Sequence, residues 1–361
     1  MKTLRNIMII AVILLAIGML SVSLFYKIGL KPVNKHDNSS KIVEIKQGST
    51  TSEIATLLKK DGLIRNKAVF KFYLKVKKIN NLQAATYEFS PNMSVEEIVN
   101  KISTGDKYID KSKQVTITFR EGLNVRQIAT IIEENTNNTY DEVLKTMEDD
   151  SYIDSLIKEY WFLTDEIKNK DIYYPLEGYL FPNTYIFESK DVDVKTIFKK
   201  MLDEANKVLT SYKSSIEGSI YTVHEILTMA SIVELEGVDK TSRDKIAGVF
   251  YDRIALNMSL GSDVTTYYAW KVNLSSKDLT KSQYNTYNPY NTRGPKMQGK
   301  LPVGPIANPS KESINATLNP DLTGYLYFVA DSDKKVWYAK TAAEHQKNIA
   351  EIKKLGKWPI E

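Results

Sequence analysis

Ile7 to Tyr26 reads IMIIAVILLAIGMLSVSLFY, twenty residues without a charge. As a helix, that run spans about 30 Å at about 1.5 Å per residue, the thickness of a bilayer's hydrocarbon core. Nothing else limits the fold so sharply, because a helix apolar on every side has no face to give to water. Lys2 and Arg5 precede the run, and residues 1–30 hold no acid. The positive-inside rule therefore predicts a cytoplasmic tail over 1–6, a transmembrane helix over 7–29 and the rest of the chain outside. The rival is a cleaved signal peptide, with Ser21-Val22-Ser23 as its small-residue site. The run is longer than the about 7–15 residues of a signal h-region, which favours an uncleaved anchor. Residues 30–41 are polar, contain Pro32, Ser39 and Ser40, and read as a linker.

Beyond the anchor the charge is nearly balanced. Three of the five net positive charges lie in residues 1–30, so the remainder has no nucleic-acid footprint. The chain has no cysteine, which excludes disulfides, thiolate nucleophiles and a lipidated cysteine. Its three histidines are His36, His224 and His345. His224-Glu225 opens an H-E-x-x-H pattern, but Thr228 stands where the second histidine belongs, so no zinc site is expected. No cofactor motif occurs. The common route left open is carboxylate chemistry.

Three segments of the first half share one pattern. Period-2 alternation at Ile42–Ile45, Thr86–Phe89 and Val115–Thr118 predicts strands. Each is followed by a turn at Gly48, Asn92 or Gly122 and a capping-box pair: Thr50 with Glu53, Ser94 with Glu97, Asn124 with Gln127. With a further helix over Asn66–Lys78, residues 42–110 form a strand-helix-helix-strand-helix module. It is either an α+β spacer or a glycan- or partner-binding module of the LysM kind. Residues 111–170 continue as a strand-helix connecting unit, and 171–361 form the remaining core.

In the second half, HEILTMASIVELE (His224–Glu236) is apolar nearly all round and predicts a buried helix, stopped at Gly237. Glu234 and Glu236 in its last turn are the chain's oddest charges. Burial without a partner costs several kcal/mol and raises a carboxyl pKa, as a general acid near neutral pH requires. The two point to different sides of the helix and cannot act as one pair. Glu234 lies over Ala230 and Ser231, which leave room for a substrate, and so is favoured as the accessible one. The competing reading is that both cap or pair structurally, for instance with Arg243 or Arg253. A second helix is expected over 242–257, then a loop at Leu260–Tyr268. Around 175–187, PLEGYLFPNTYIF reads as a packed irregular connection. Six of the eleven prolines fall within 289–320, which predicts irregular backbone beside Tyr284, Tyr287 and Tyr290. Tyr and Asn on rigid loops suit a groove for a sugar polymer. A strand at 325–329 and a helix at 342–355, with His345 on its surface or in packing, complete the chain.

These motifs, in this order, resemble the endolytic murein transglycosylases of the MltG (YceG-like) family across nearly the whole chain. The resemblance rests on LEGYLFPNTY (Leu176–Tyr185), MASIVELEG (Met229–Gly237), SDVTTYY (Ser262–Tyr268), PYNT (Pro289–Thr292), LPVGPIANPS (Leu301–Ser310), YLYFVAD (Tyr325–Asp331) and EHQKN (Glu344–Asn348). Arg293 departs from it, standing where relatives usually carry an aromatic. The resemblance implies an α+β protein: transmembrane helix, LysM-like module, then a catalytic region over 111–361 of helices on a small sheet. It implies a cell-membrane enzyme that cuts the MurNAc-β-1,4-GlcNAc bond of nascent glycan strands without water, leaving 1,6-anhydro ends and ending strand elongation. The first glutamate of the A-S-I-V-E-x-E motif, Glu234, is then the catalytic acid. Asp263, Thr265, Tyr267, Tyr290 and Asn291 are the substrate-binding candidates. Metal and cofactor are expected to be absent, and penicillin-binding proteins are the expected partners. Two other classes remain open: a two-carboxylate muramidase using Glu234 with Asp263, and a non-catalytic glycan-binding scaffold.

Overall fold

The computed structural model describes residues 2–274 and 276–359. Met1, Ser275, Ile360 and Glu361 lie outside the described residues, and with them the outermost ends of the expected tail and catalytic region. The chain divides into two units, 1–110 and 111–361.

The first unit begins with α1 (Lys2–Leu30), which carries the one span among the described residues long and apolar enough to cross a membrane. Then come β1 (Lys41–Ile45), α2 (Thr51–Lys60), α3 (Lys67–Lys77), β2 (Ala85–Phe89) and α4 (Val95–Thr104). Strands β1 and β2 pair antiparallel, Lys41 opposite Phe89 and Ile45 opposite Ala85. Alternation points Val43, Ile45, Tyr87 and Phe89 into a core shared with Ile54, Leu58, Phe70, Leu74 and Ile98. Thr50 and Ser94 each accept from the backbone N–H of Glu53 and Glu97, whose carboxylates return the bond. The segment expected to be a linker is tied down instead. Arg65 donates to the carbonyls of Pro32 and Val33, and the Asn34 N–H to Pro91.

The second unit runs β3 (Val115–Thr118), α5 (Val125–Asn135), α6 (Tyr140–Met147), α7 (Asp150–Glu159), β4 (Thr184–Phe187), α8 (Val194–Ser211) and α9 (Lys213–Glu217). It continues with α10 (Val223–Glu236), α11 (Lys240–Ala255), α12 (Asp263–Ala269), α13 (Lys281–Asn285), α14 (Lys311–Leu318), β5 (Tyr327–Ala330), β6 (Val336–Ala339) and α15 (Ala342–Lys354). No central sheet carries this unit among the described residues. Its strands form two separate antiparallel pairs, β3 with β4 and β5 with β6. Because β3 pairs with β4, and one core runs from Ile117 to Ile314, residues 111–170 are not a body apart from 171–361.

Three expectations need correction. Thr184–Phe187 is a strand, because Tyr185 and Phe187 alternate inward beside Ile117. Leu260–Tyr268 is not all loop: α12 starts at Asp263. The proline-rich stretch contains α14, since Pro309 and Pro320 bracket a proline-free run that Ser310 caps through the Ser313 N–H.

Helix α10 is the hub. Every residue from Val223 to Val233 except Glu225 is buried, and the helix packs against α11, α12 and α14. Thr222 caps its start with Glu225 as the reciprocal partner. Its last turn, bearing Glu234 and Glu236, emerges between neighbours that arrive from distant parts of the sequence.

Candidate active site

Glu234 and Glu236 leave α10 on different sides. The Glu234 side chain is 6% exposed and fully engaged. Its Oε1 accepts from Arg243 Nη2 at 3.1 Å. Its Oε2 accepts from the Ser310 N–H at 2.9 Å, from Ser313 Oγ at 2.7 Å and from Ser310 Oγ. A Cβ built on Gly122 would lie 3.7 Å from its Cγ, so this side of the helix faces the β3–α5 turn. The carboxylate thus binds α10 to α11 and to the N-terminus of α14.

Glu236 instead lines a cavity of about 870 Å³. Ser262 Oγ donates to its Oε1 at 2.6 Å. Among the described residues Oε2 accepts no hydrogen bond. Burial pushes its pKa up, opposed by the Ser262 bond, reinforced by the negative charge of Asp263 and opposed again by Arg293 and Arg253. The accessibility that favoured Glu234 from sequence is therefore reversed. Ala230 and Ser231 do not leave a substrate-sized gap, because the 301–310 segment fills it: Ser231 Oγ receives the Ile306 N–H at 3.0 Å.

The cavity wall is assembled from six places in the chain. Glu236 ends α10, and Ser262, Asp263 and Tyr267 come from the start of α12. Arg253 comes from α11, Arg293 from the loop after PYNT, Tyr327 from β5 and His345 from α15. Asp263 forms an ion pair with Arg293 at the rim. His345 stacks on Tyr327, with ring centres 5.4 Å apart, rather than serving as a surface residue. Burial and nearby Arg253 lower its pKa.

Of the five substrate-binding candidates, Asp263 and Tyr267 reach the cavity and the other three do not. Thr265 is fully buried, its hydroxyl meeting the Ser262 carbonyl at 2.7 Å and Thr292 Oγ1 at 2.8 Å. It holds the turn that carries Ser262. Tyr290 is fully buried and packs on Tyr173 and Tyr268, at 4.7 and 4.9 Å between ring centres. Asn291 is fully buried too: its Nδ2 donates to the carbonyls of Gln283, Tyr284 and Thr286, and its Oδ1 accepts from Thr266. PYNT is the clamp behind α12, not a contact surface.

Sequence reasoning also passed over Glu177, in LEGYLFP. It is 1% exposed, and its carboxylate accepts from the Val125 N–H, Tyr268 Oη and Asn308 Nδ2. Burial carries its pKa up to about 8 against those donors. An acid raised above its ordinary 4.5 binds a proton in the fold that the unfolded chain has released. Stability therefore falls as pH rises from about 4.5 to about 8. Urea midpoints taken across that range should show the fall in wild type, and Glu177→Gln should lack its slope whatever its absolute stability.

Among the described residues no cluster of His, Asp and Glu is arranged to hold a metal ion. The site offers one desolvated carboxyl with an oxygen that accepts no hydrogen bond among the described residues, a second carboxylate, and the rings of Tyr267 and Tyr327 in the wall of one cavity.

Comparison with known proteins gives concordant matches. A model of the YceG-like family matches residues 43–351. A Bacillus subtilis protein named endolytic murein transglycosylase is 38% identical over 90% of this chain and 88% of its own length. A Streptococcus pneumoniae protein of the same name is 33% identical over 89% of this chain, but the match spans only 60% of that longer protein. A crystal structure of a yceG-like protein from Listeria monocytogenes superposes with a TM-score of 0.61 at 36% identity, covering 86% of this chain and 99% of that one.

Proposed function

The chain belongs to the YceG-like family, and from that premise we propose that it is a membrane-anchored endolytic lytic transglycosylase of bacterial peptidoglycan. In this reading α1 is a single-pass anchor with its N-terminus in the cytoplasm, and the second unit works on glycan outside. The bond cut is the MurNAc-β-1,4-GlcNAc linkage of nascent strands, and cutting ends their elongation. Residues 42–110 are read as a LysM-like module, supported by the β1-α2-α3-β2 order and the antiparallel strand pair. Wall-synthesis enzymes such as penicillin-binding proteins are the partners this role calls for.

The observation that carries the proposal is Glu236: desolvated, fixed at one oxygen by Ser262, with no hydrogen bond to the other among the described residues, and part of the cavity wall. Its raised pKa favours the protonated carboxyl, and it protonates the leaving glycosidic oxygen as an oxocarbenium-like centre develops at C1. The resulting carboxylate removes the proton from the muramoyl C6 hydroxyl. That oxygen attacks C1 and closes the 1,6-anhydro ring, and the proton it has given up leaves Glu236 in its acid form again. No water enters. A nucleophile already on the sugar gains the effective molarity of an intramolecular reaction and needs no second catalytic carboxylate. The Glu234 expected from the motif becomes the brace of the helix end in this scheme.

Asp263 lines the same cavity, which keeps a two-carboxylate muramidase as the second reading. A retaining or inverting pair works at about 5–9.5 Å. Mass spectrometry of products from uncrosslinked glycan strands separates the two, since anhydromuramoyl ends are lighter than reducing ends by one water. Reducing ends would overturn the transglycosylase mechanism. Binding without turnover would leave a glycan-binding scaffold.

A further inference from the structure

Helix α3 has an outward face that its own unit leaves half exposed. Val69, Phe70, Tyr73 and Leu74 are buried in the core, whereas Phe72 and Val76, one turn apart, are 53% and 52% exposed. Around them Lys75, Lys77 and Lys78 are exposed, and no acid occurs from Lys67 to Lys78. A large aromatic and a β-branched residue on a lysine-rich surface is the composition of a helix lying in a membrane interface.

The position of α3 relative to α1 says what covers this face. Val69 packs on Gly29, where an added Cβ would come within 2.7 Å of it. Phe72 meets Tyr26 edge-on, with ring centres 5.4 Å apart. Phe72 also closes an apolar groove along α1 with Met19, Val22 and Tyr26. Its ring therefore sits beside the last turns of the apolar span, a position that lipid reaches when α1 spans the bilayer. Arg65, hydrogen-bonded to the carbonyls of Pro32 and Val33, fixes the start of α3 to the backbone leaving α1.

We propose that the outward face of α3 is a membrane-surface contact, with Phe72 and Val76 entering the outer leaflet beside the span and Lys75, Lys77 and Lys78 meeting anionic headgroups. The inference rests on reading α1 as the anchor and adds to it a second point of attachment. Two points of attachment hold the module at a set angle to the bilayer, where one span alone would leave it to swivel.

The absence of cysteine makes the test clean. Full-length Val76→Cys protein, labelled with the environment-sensitive dye NBD and reconstituted into phosphatidylglycerol-containing vesicles, should show blue-shifted emission. Lipids with a nitroxide on the acyl chain should quench it, and replacing the anionic lipid by phosphatidylcholine should weaken the quenching. Phe72 stays intact in this variant. The same label at Ile13 reports the anchor, and at exposed Glu44 on β1 it reports any pull of the dye itself. Quenching at Ile13 but not at residue 76 would overturn the inference and leave the anchor standing, while no quenching at either would remove the anchor reading. Equal quenching at Glu44, a blue shift without lipid quenching, or indifference to anionic lipid would also overturn the contact as stated.

Discussion

Glu236→Gln should abolish release of 1,6-anhydromuramoyl ends, with a loss of about 10²–10⁴-fold expected when a general acid–base group is removed. The amide keeps the shape and can still accept from Ser262 Oγ, so folding is preserved while the proton is lost. Glu234→Gln, by contrast, should retain most activity, because Glu234 lies outside the cavity wall and its amide still accepts from Arg243 or the serines. The reverse pattern, an inert Glu234→Gln and an active Glu236→Gln, would return the acid to Glu234. The pH profile gives an independent check. The mechanism needs Glu236 protonated, so kcat/KM should decline on the alkaline side as its raised pKa is passed. Asp263 raises that pKa and Arg293 lowers it. Asp263→Asn removes the first charge and frees the second from its ion pair, so both changes lower the Glu236 pKa. The alkaline limb should move to lower pH with activity retained at its acid end. A muramidase using Asp263 as its second carboxylate would instead lose activity at every pH.

The division between what could and could not be read from sequence follows contact range. The three capping boxes at Thr50, Ser94 and Asn124 stand where their spacing put them, because each is closed within four residues. The buried character of α10 was legible for the same reason: thirteen consecutive residues carry it. Which of its two glutamates faces a substrate was not legible. Small neighbours one turn back looked like room, but in the fold they are room for another part of the chain, the segment carrying Ile306 and Ser310. Tyr290 and Asn291 misled in the same way. Tyr and Asn on a proline-rich loop are as well suited to holding α12 from behind as to holding sugar, and only burial separates the two. Nothing in the sequence brought Arg253, Arg293 and His345 together, since the cavity that unites them exists only after α12, β5 and α15 have packed.

Glu234→Ala should be the most destabilising of these substitutions, by about 3–5 kcal/mol, the usual cost of removing one partner from a buried ion pair. Arg243 is 17% exposed at its side chain, and its Nε already lacks a hydrogen-bond partner among the described residues. Without Glu234 its guanidinium would lose its ion pair and the hydrogen bond that goes with it, leaving only the more distant charges of Glu121 and Asp239 to offset it. The Ser310 N–H, at the start of α14, would lose its acceptor in the same step, and α10, α11 and α14 would lose their common tie. All four tryptophans, Trp161, Trp270, Trp337 and Trp358, lie in the second unit, so their fluorescence follows this unfolding without interference from the first. Detergent-solubilised full-length protein should show a lower urea midpoint at unchanged slope for Glu234→Ala, with Glu234→Gln intermediate. Glu236→Ala should shift the midpoint far less or raise it, because removing a desolvated carboxyl held by one hydroxyl relieves as much as it costs. Equal losses for the two alanine variants would mean that the carboxylates share the bracing role, and the separation of brace from acid would fail.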